Sequence, residues 1–147
     1  MQDHVNTIVI GAGVIGLAIA KKLSEHGREV LVLEKEKNFG MGISSRNSEV
    51  IHAGLYFSPN MLKSKLCISG KDQLYQYARS RGIPHRRCGK LLVACSEAEL
   101  FKLEQIKLNA EFCGVDDLES LSAADYLKLE PDLSAVAGLF SPSSGVI

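Results

Sequence analysis

The chain has 147 residues, enough for one domain or a part of one. Its 17 Lys and Arg balance 17 Asp and Glu, so it lacks the basic excess that nucleic-acid binding demands, and no nucleic-acid partner is expected. With 46% hydrophobic and 23% charged residues it has the composition of a globular domain, neither disordered nor fibrous.

The first apolar stretch, Thr7 to Ala20, spans 14 residues, short of the roughly 20 needed to cross a bilayer as a helix. A signal peptide needs positive charge ahead of such a run, but here Asp3 precedes it and Lys21-Lys22 follow. A cytoplasmic chain with no transmembrane segment is expected. Peripheral contact with the inner face of a membrane stays open. Within the stretch, Ile8-Val9-Ile10 reads as a buried parallel strand ending at Gly11. Val14 to His26 reads as a helix, with Ala20 and Leu23 toward the sheet and Gly27 closing it. Val30 to Leu33 is a second strand with Glu34 at its end, which completes a βαβ unit. Asn38 to Ser48, rich in Gly, Ser and Asn, is loop or helix entry.

Met61 to Arg81 predicts a long helix with Leu62, Leu66, Gly70, Leu74 and Ala78 as its apolar stripe. Gly70 in that stripe would admit a close backbone. Lys90 to Cys95 is a strand. Ser96-Glu97-Ala98-Glu99 fits a capping box, opening a helix with Leu100, Leu103 and Ile106 on one face. Ser122 caps a shorter helix to Leu129 that Pro131 stops, and Val136 to Phe140 is a last strand. Gly145-Val146-Ile147 is apolar and looks like the start of another strand, which suggests a truncated chain.

Four cysteines, Cys67, Cys88, Cys95 and Cys113, form no C-x-x-C pair and no metal-ligand spacing, so they read as reduced core thiols and no metal is expected. Arg79, Arg81, Arg86, Arg87 and Lys90 form a basic run, and residues 116 to 132 an acidic one. These read as solvated faces or a complementary pair.

The central motif is Gly11-Ala12-Gly13-Val14-Ile15-Gly16, placed between a strand and a helix with Glu34 18 positions after its third glycine. Gly11 permits the tight turn, Gly13 leaves room for a diphosphate, and Gly16 lets helix and strand pack. The helix N-terminus offers free amides and a partial positive charge to the anion. Glu34 suits the hydroxyls of an adenosine ribose and would repel a 2′-phosphate, which disfavours NADP. Lys35, adjacent, weakens that repulsion slightly, because strand neighbours point to opposite faces. This loop alone does not separate FAD from NAD.

Residues 42 to 57 carry the next motif: Ser44-Ser45-Arg46-Asn47-Ser48, then Val50-Ile51-His52-Ala53-Gly54-Leu55-Tyr56. The pattern resembles the FAD-dependent oxidoreductases of the D-amino-acid oxidase superfamily, and within it most the L-2-hydroxyglutarate dehydrogenase family. The flavin-type glycerol-3-phosphate dehydrogenases have a similar serine-rich run. The resemblance extends through Gly89-Lys90-Leu91 and Leu139-Phe140-Ser141-Pro142. It implies an α/β fold: a Rossmann-type FAD-binding portion, residues 1–85, followed by the start of an α+β substrate domain, residues 86–147. It implies FAD as cofactor, bound by Gly11, Ala12, Gly13, Val14, Ile15, Gly16, Glu34, Lys35, Ser44, Ser45, Arg46, Asn47 and Ser48, with residues 44 to 48 around the diphosphate and ribityl chain. It also implies oxidation of a small 2-hydroxy acid, L-2-hydroxyglutarate above all, by hydride transfer to the flavin. The electrons would go to a quinone or to oxygen. The family places a residue near the flavin at His52, which could polarise the flavin, help take the substrate proton, attach flavin covalently, or be a hydrogen-bonded core residue. Amine- or glycerol-3-phosphate-oxidising enzymes and a non-catalytic remnant are the alternatives, since in that family a later segment closes the flavin site.

Overall fold

The computed structural model describes residues 4–147. It divides into two compact units, Met1–Ser48 and Glu49–Ile147.

In the first unit β1 (Thr7–Ile10) runs parallel to β2 (Val30–Leu33), Thr7 opposite Val30 and Ile10 opposite Leu33. Helix α1 (Val14–Glu25) connects them and packs on both. The helix ends as its sequence requires. Gly27 N–H donates to Ser24 O at 2.9 Å and Arg28 N–H to Leu23 O at 3.2 Å, so two of the last carbonyls are satisfied by the chain's own reversal. Ala20 is buried and Leu23 half-buried, as the helix periodicity predicts.

The strands differ from expectation. They are not buried on both faces: residues alternate, with Thr7, Val9, Val30 and Val32 half-buried and Ile8, Ile10, Leu31 and Leu33 exposed. The cause is arithmetic, since a two-stranded sheet with one helix covers one face and leaves the other bare. The loop after β2 returns to the start of α1, where Gly40 N–H donates to Ala12 O at 2.9 Å. It then forms a single 3-10 turn at Ile43–Ser45.

The second unit is α+β. β3 (Val50–Ile51) pairs antiparallel with β7 (Gly145–Val146), so the strand expected at residues 145–147 forms and finds its partner about a hundred residues upstream in the chain. β4 (Lys90–Ala94), β6 (Ala137–Ser141) and β5 (Glu119–Leu121) make an antiparallel sheet in the order β4-β6-β5. Between them lie α2 (Leu62–Arg81), α3 (Glu97–Phe112) and α4 (Ala123–Leu129). Leu103 and Ala110 of α3 pack with Leu92, Ala94 and Leu139 of the sheet and with Ala53, Leu55 and Val115. Leu100 and Ile106 join that core from the same face.

Helix α2 corrects the stripe read from the sequence. Leu62 and Leu66 are exposed, at 69% and 59%, and nothing lies within 4 Å of where a Gly70 side chain would begin. The buried side instead follows Ser64, Ile68, Lys71, Tyr75 and Ala78. A strict i+4 repeat drifts about 160° around a helix over four steps, whereas steps of four and three stay on one face. The capping box likewise does not form as expected. Ser96 makes no side-chain cap, but Glu99 Oε2 accepts the Cys95 N–H at 2.8 Å. The cysteines are free: Cys88 and Cys95 are exposed rather than core residues, Cys67 is half-buried, and Cys113, also half-buried, packs against the core. Ion pairs among the described residues are local, and none joins the basic run to the acidic one.

Candidate functional site

The glycine loop sits in the first unit between β1 and α1. Gly11 N–H donates to Leu33 O at 2.7 Å, which extends the ladder one residue past the strand. Gly11 then turns at φ 99°, a conformation only glycine takes without strain. At Gly16 a Cβ would overlap the Gly11 carbonyl oxygen, so the sequence spacing reflects a real steric limit between helix and loop. Ala12 is buried under that turn. Around Gly11 the space is open, and a Cβ on Gly13 would meet only Ser44 Oγ, at 3.1 Å. Leu17 is the first residue to find an acceptor down the helix, Gly13 O at 3.0 Å. The amides ahead of it have no intrahelical partner, and those of Ile15 and Gly16 stand at the positive end of the helix dipole. An open, glycine-lined surface with such amides can accept an anion.

Two further sequence-identified residues converge on this loop. Glu34 Oε2 accepts the Ala12 N–H at 2.6 Å, and Oε1 accepts the Glu36 N–H at 3.0 Å. These bonds, Glu36 first and Ala12 next, hold the Glu34 carboxyl below its ordinary pKa. Each oxygen keeps lone-pair capacity for a further donor. Ser44 Oγ accepts the Val14 N–H at 2.9 Å, capping α1 from thirty residues away. Sequence reading had no signal for that cap, because capping rules look only at the residues beside a helix end.

The other residues of the serine-rich run do not reach the loop. Ser45 Oγ donates to Gly42 O at 3.1 Å, and Asn47 Nδ2 to Ser44 O at 2.8 Å. The Arg46 guanidinium donates to Met41 O at 2.6 Å and Gly42 O at 3.4 Å. These side chains shape their own turn, and Ser48 is exposed at its end. Lys35 is 87% exposed and faces Glu36 at 3.7 Å.

His52 belongs to the second unit, one residue past β3. It is exposed, which removes the reading of it as a hydrogen-bonded core residue. Pleating explains the difference: Ile51 and Ala53 on either side are buried, and the residue between them points to the other face. Partial desolvation, then the positive charges of Lys90 and Lys63, push its pKa below the ordinary histidine value. Neither lysine was singled out as a site residue, because they lie 11 and 38 positions from His52. A crevice lined by His52, Tyr56, Phe57, Lys90 and Ser144 is too narrow for a water molecule.

The segment after His52 is pinned from α3 and α2. Asn109 Nδ2 donates to Leu55 O at 2.8 Å and Phe57 O at 3.0 Å. Cys113 Sγ donates to Phe57 O at 3.3 Å and receives a bond from the buried Ser64 Oγ at 3.1 Å.

The chain matches the family described as DAO, FAD dependent oxidoreductase, over residues 6–147. It is 45% identical over 146 residues to the mitochondrial L-2-hydroxyglutarate dehydrogenase of Arabidopsis thaliana, covering 99% of this chain and 30% of that protein. It is 34% identical to the enzyme of that name from Homo sapiens, covering 95% of this chain and 31% of the relative. The chain therefore spans about a third of the length of these curated relatives. Among solved structures, the FAD-bound L-alpha-glycerophosphate oxidase of Mycoplasma pneumoniae superimposes with a TM-score of 0.89 and 33% identity, over 99% of this chain and 39% of that one. Glycine oxidase from Geobacillus kaustophilus shares the fold, with a TM-score of 0.84 over 97% of this chain and 40% of the other.

Proposed function

The chain belongs to the DAO family of FAD-dependent oxidoreductases, with FAD as its cofactor, and from that premise we propose that it forms part of an enzyme oxidising an L-2-hydroxy acid, L-2-hydroxyglutarate first among them, to the 2-oxo acid. Flavin, held by the glycine loop with Glu34 and Ser44, would supply the redox chemistry as the hydride acceptor. This chain's residues supply binding and proton handling. The amides of Gly13, Ile15 and Gly16 would donate to the diphosphate, since those of Gly11, Ala12 and Val14 are already bonded to Leu33, Glu34 and Ser44, and Gly13 leaves it room. Glu34 accepts from the adenosine ribose while its bond to Ala12 holds the loop in shape. Ser44 fixes the helix end, and Ser45, Arg46, Asn47 and Ser48 line the approach, with Lys35 at its edge. His52, exposed one residue past β3, is the group we assign to accept the substrate hydroxyl proton. Functionally, residues 1–85 are the cofactor-binding portion and 86–147 the beginning of a substrate domain. A quinone or oxygen takes the electrons.

The observation that carries this reading is the meeting of Glu34 and Ser44 at the glycine loop, on a chain 45% identical to an L-2-hydroxyglutarate dehydrogenase. No helix among the described residues is long and apolar enough to cross a membrane. We place the protein in the cytoplasm or on the inner face of a membrane, although the relatives are named mitochondrial. Oxidation of glycerol 3-phosphate is the second reading, favoured by the likeness to the Mycoplasma oxidase.

Titration of FAD into the purified chain, followed by quenching of flavin fluorescence, tests the cofactor site. Gly13→Val should abolish binding while the circular dichroism spectrum stays unchanged, because the isopropyl group fills the open side of the loop. Flavin binding equal to the parent's would remove the loop from the site. Dye reduction by the flavin-loaded protein carrying this sequence separates the substrates: L-2-hydroxyglutarate should outperform glycerol 3-phosphate, and the reverse order selects the second reading.

A further inference from the structure

We propose that Lys90 and Lys63 form, with His52, a cationic rim that binds the carboxylates of a 2-hydroxy dicarboxylic acid. The inference rests on the 2-hydroxy-acid reading above and adds the groups that select the acid.

Three elements bring these groups together. His52 follows β3, Lys63 lies in the first turn of α2, and Lys90 is the first residue of β4. The segment after His52 seats both lysines: Lys63 Nζ lies 4.2 Å from the Phe57 ring centroid, and Lys90 Nζ 4.8 Å from that of Tyr56. Each ammonium is thereby held in place with its remaining donors available. Neither lysine has a carboxylate within ion-pair distance among the described residues, whereas Lys21, Lys35, Lys71 and Lys128 each have one. Two ammonium groups over adjacent aromatic rings, beside His52, make an electropositive surface.

The shape of the surface points to the ligand. The crevice beside His52 excludes water, so a ligand lies on its rim, where His52, Tyr56 and Lys63 are exposed. Two ammonium groups on neighbouring rings offer one positive charge to each of two carboxylates. The Tyr56 and Phe57 rings offer apolar surface to the methylenes between them. A monocarboxylate would neutralise only one seat. Lysines act as point charges and impose no bidentate geometry, so the selection is by charge.

The test is an NMR titration of the His52 ring in the full 147-residue chain. Glutarate, which cannot be oxidised at a hydroxyl, is the probe, and lactate, glycerol 3-phosphate and sodium chloride are compared at equal ionic strength. Glutarate should raise the His52 pKa and bind more tightly than lactate or glycerol 3-phosphate. Lys90→Met and, separately, Lys63→Met should weaken glutarate by roughly two- to fivefold, the range expected for an exposed charge contact. Either variant should raise the His52 pKa in the absence of ligand. Lys90→Arg should restore binding, and Lys128→Met should change nothing. An equal shift with chloride, equal binding of lactate, tighter binding of glycerol 3-phosphate, or indifference to both Lys→Met variants would overturn the proposal. FAD titration of the same sample reports separately on the cofactor reading. Flavin binding without a glutarate response removes the rim alone, and a glutarate response without flavin binding removes the flavin reading alone.

Discussion

At Gly16 an added methyl group would overlap the Gly11 carbonyl and sit 3.5 Å from Val9, so neither backbone nor strand can yield cheaply. Gly16→Ala should cost about 3 kcal/mol of stability, read from urea unfolding, because the obstacle is main chain. A cost near zero would mean the loop can rearrange and that the glycine spacing is not steric. Glu34 behaves differently, since its partners are N–H groups of the loop itself. Its folded-state pKa is depressed, so its contribution is present above the unfolded value and lost as pH falls through the lowered one. The Ala12 amide proton should therefore keep its NMR shift at neutral pH and move only in acid, at a pH below the ordinary glutamate pKa. Glu34→Gln should abolish that titration and weaken FAD by roughly an order of magnitude, since a charged acceptor becomes a neutral one.

At the scale of elements, α3 both builds the core and fixes the loop that carries Tyr56 and Phe57. Asn109 satisfies two carbonyls of that loop at once. Asn109→Ala leaves both without their donor and should cost about 2 kcal/mol in urea unfolding with an unchanged m-value. A neutral result would mean that water replaces the amide and that the loop is held by Cys113 and apolar packing. Helix α2 shows how an apolar stripe misleads. Leu62 and Leu66 read as core, yet the residues that pack are Ser64 and Tyr75, whose hydroxyls have partners in Cys113 Sγ and Ser143 O. A polar residue with a satisfied hydrogen bond can occupy a core position, and no hydropathy pattern announces it.

For the whole molecule, the most consequential surface is the bare face of the first unit. Ile8, Ile10, Leu31 and Leu33 are exposed at 51%, 86%, 42% and 46%, on a two-stranded sheet with unpaired edges. Apolar sheet faces and open edges of this kind drive association. The 147-residue chain on its own should self-associate at micromolar concentration, with sedimentation velocity showing species above 16.0 kDa. A clean monomer would mean that this face is covered in solution.

Much was legible in the sequence, and for a definite reason. The strand–helix–strand unit over residues 7 to 33, the glycines at 11, 13 and 16, the end of α1 at Gly27 and the start of α3 after Ser96 all depend on signals within a few residues of one another. Local sterics and backbone hydrogen bonding fix these, so periodicity and punctuation reveal them. Tertiary structure alone decided which face of α2 is buried, that β3 pairs with β7, that β5 exists, and that His52 stands exposed beside Lys63 and Lys90. It also decided that Ser44 caps α1 while its neighbours Ser45 and Asn47 bond to carbonyls of their own turn. Each of these depends on a contact between segments far apart in the chain. Side-chain types and spacing along one segment carry no record of which distant segment will pack against it.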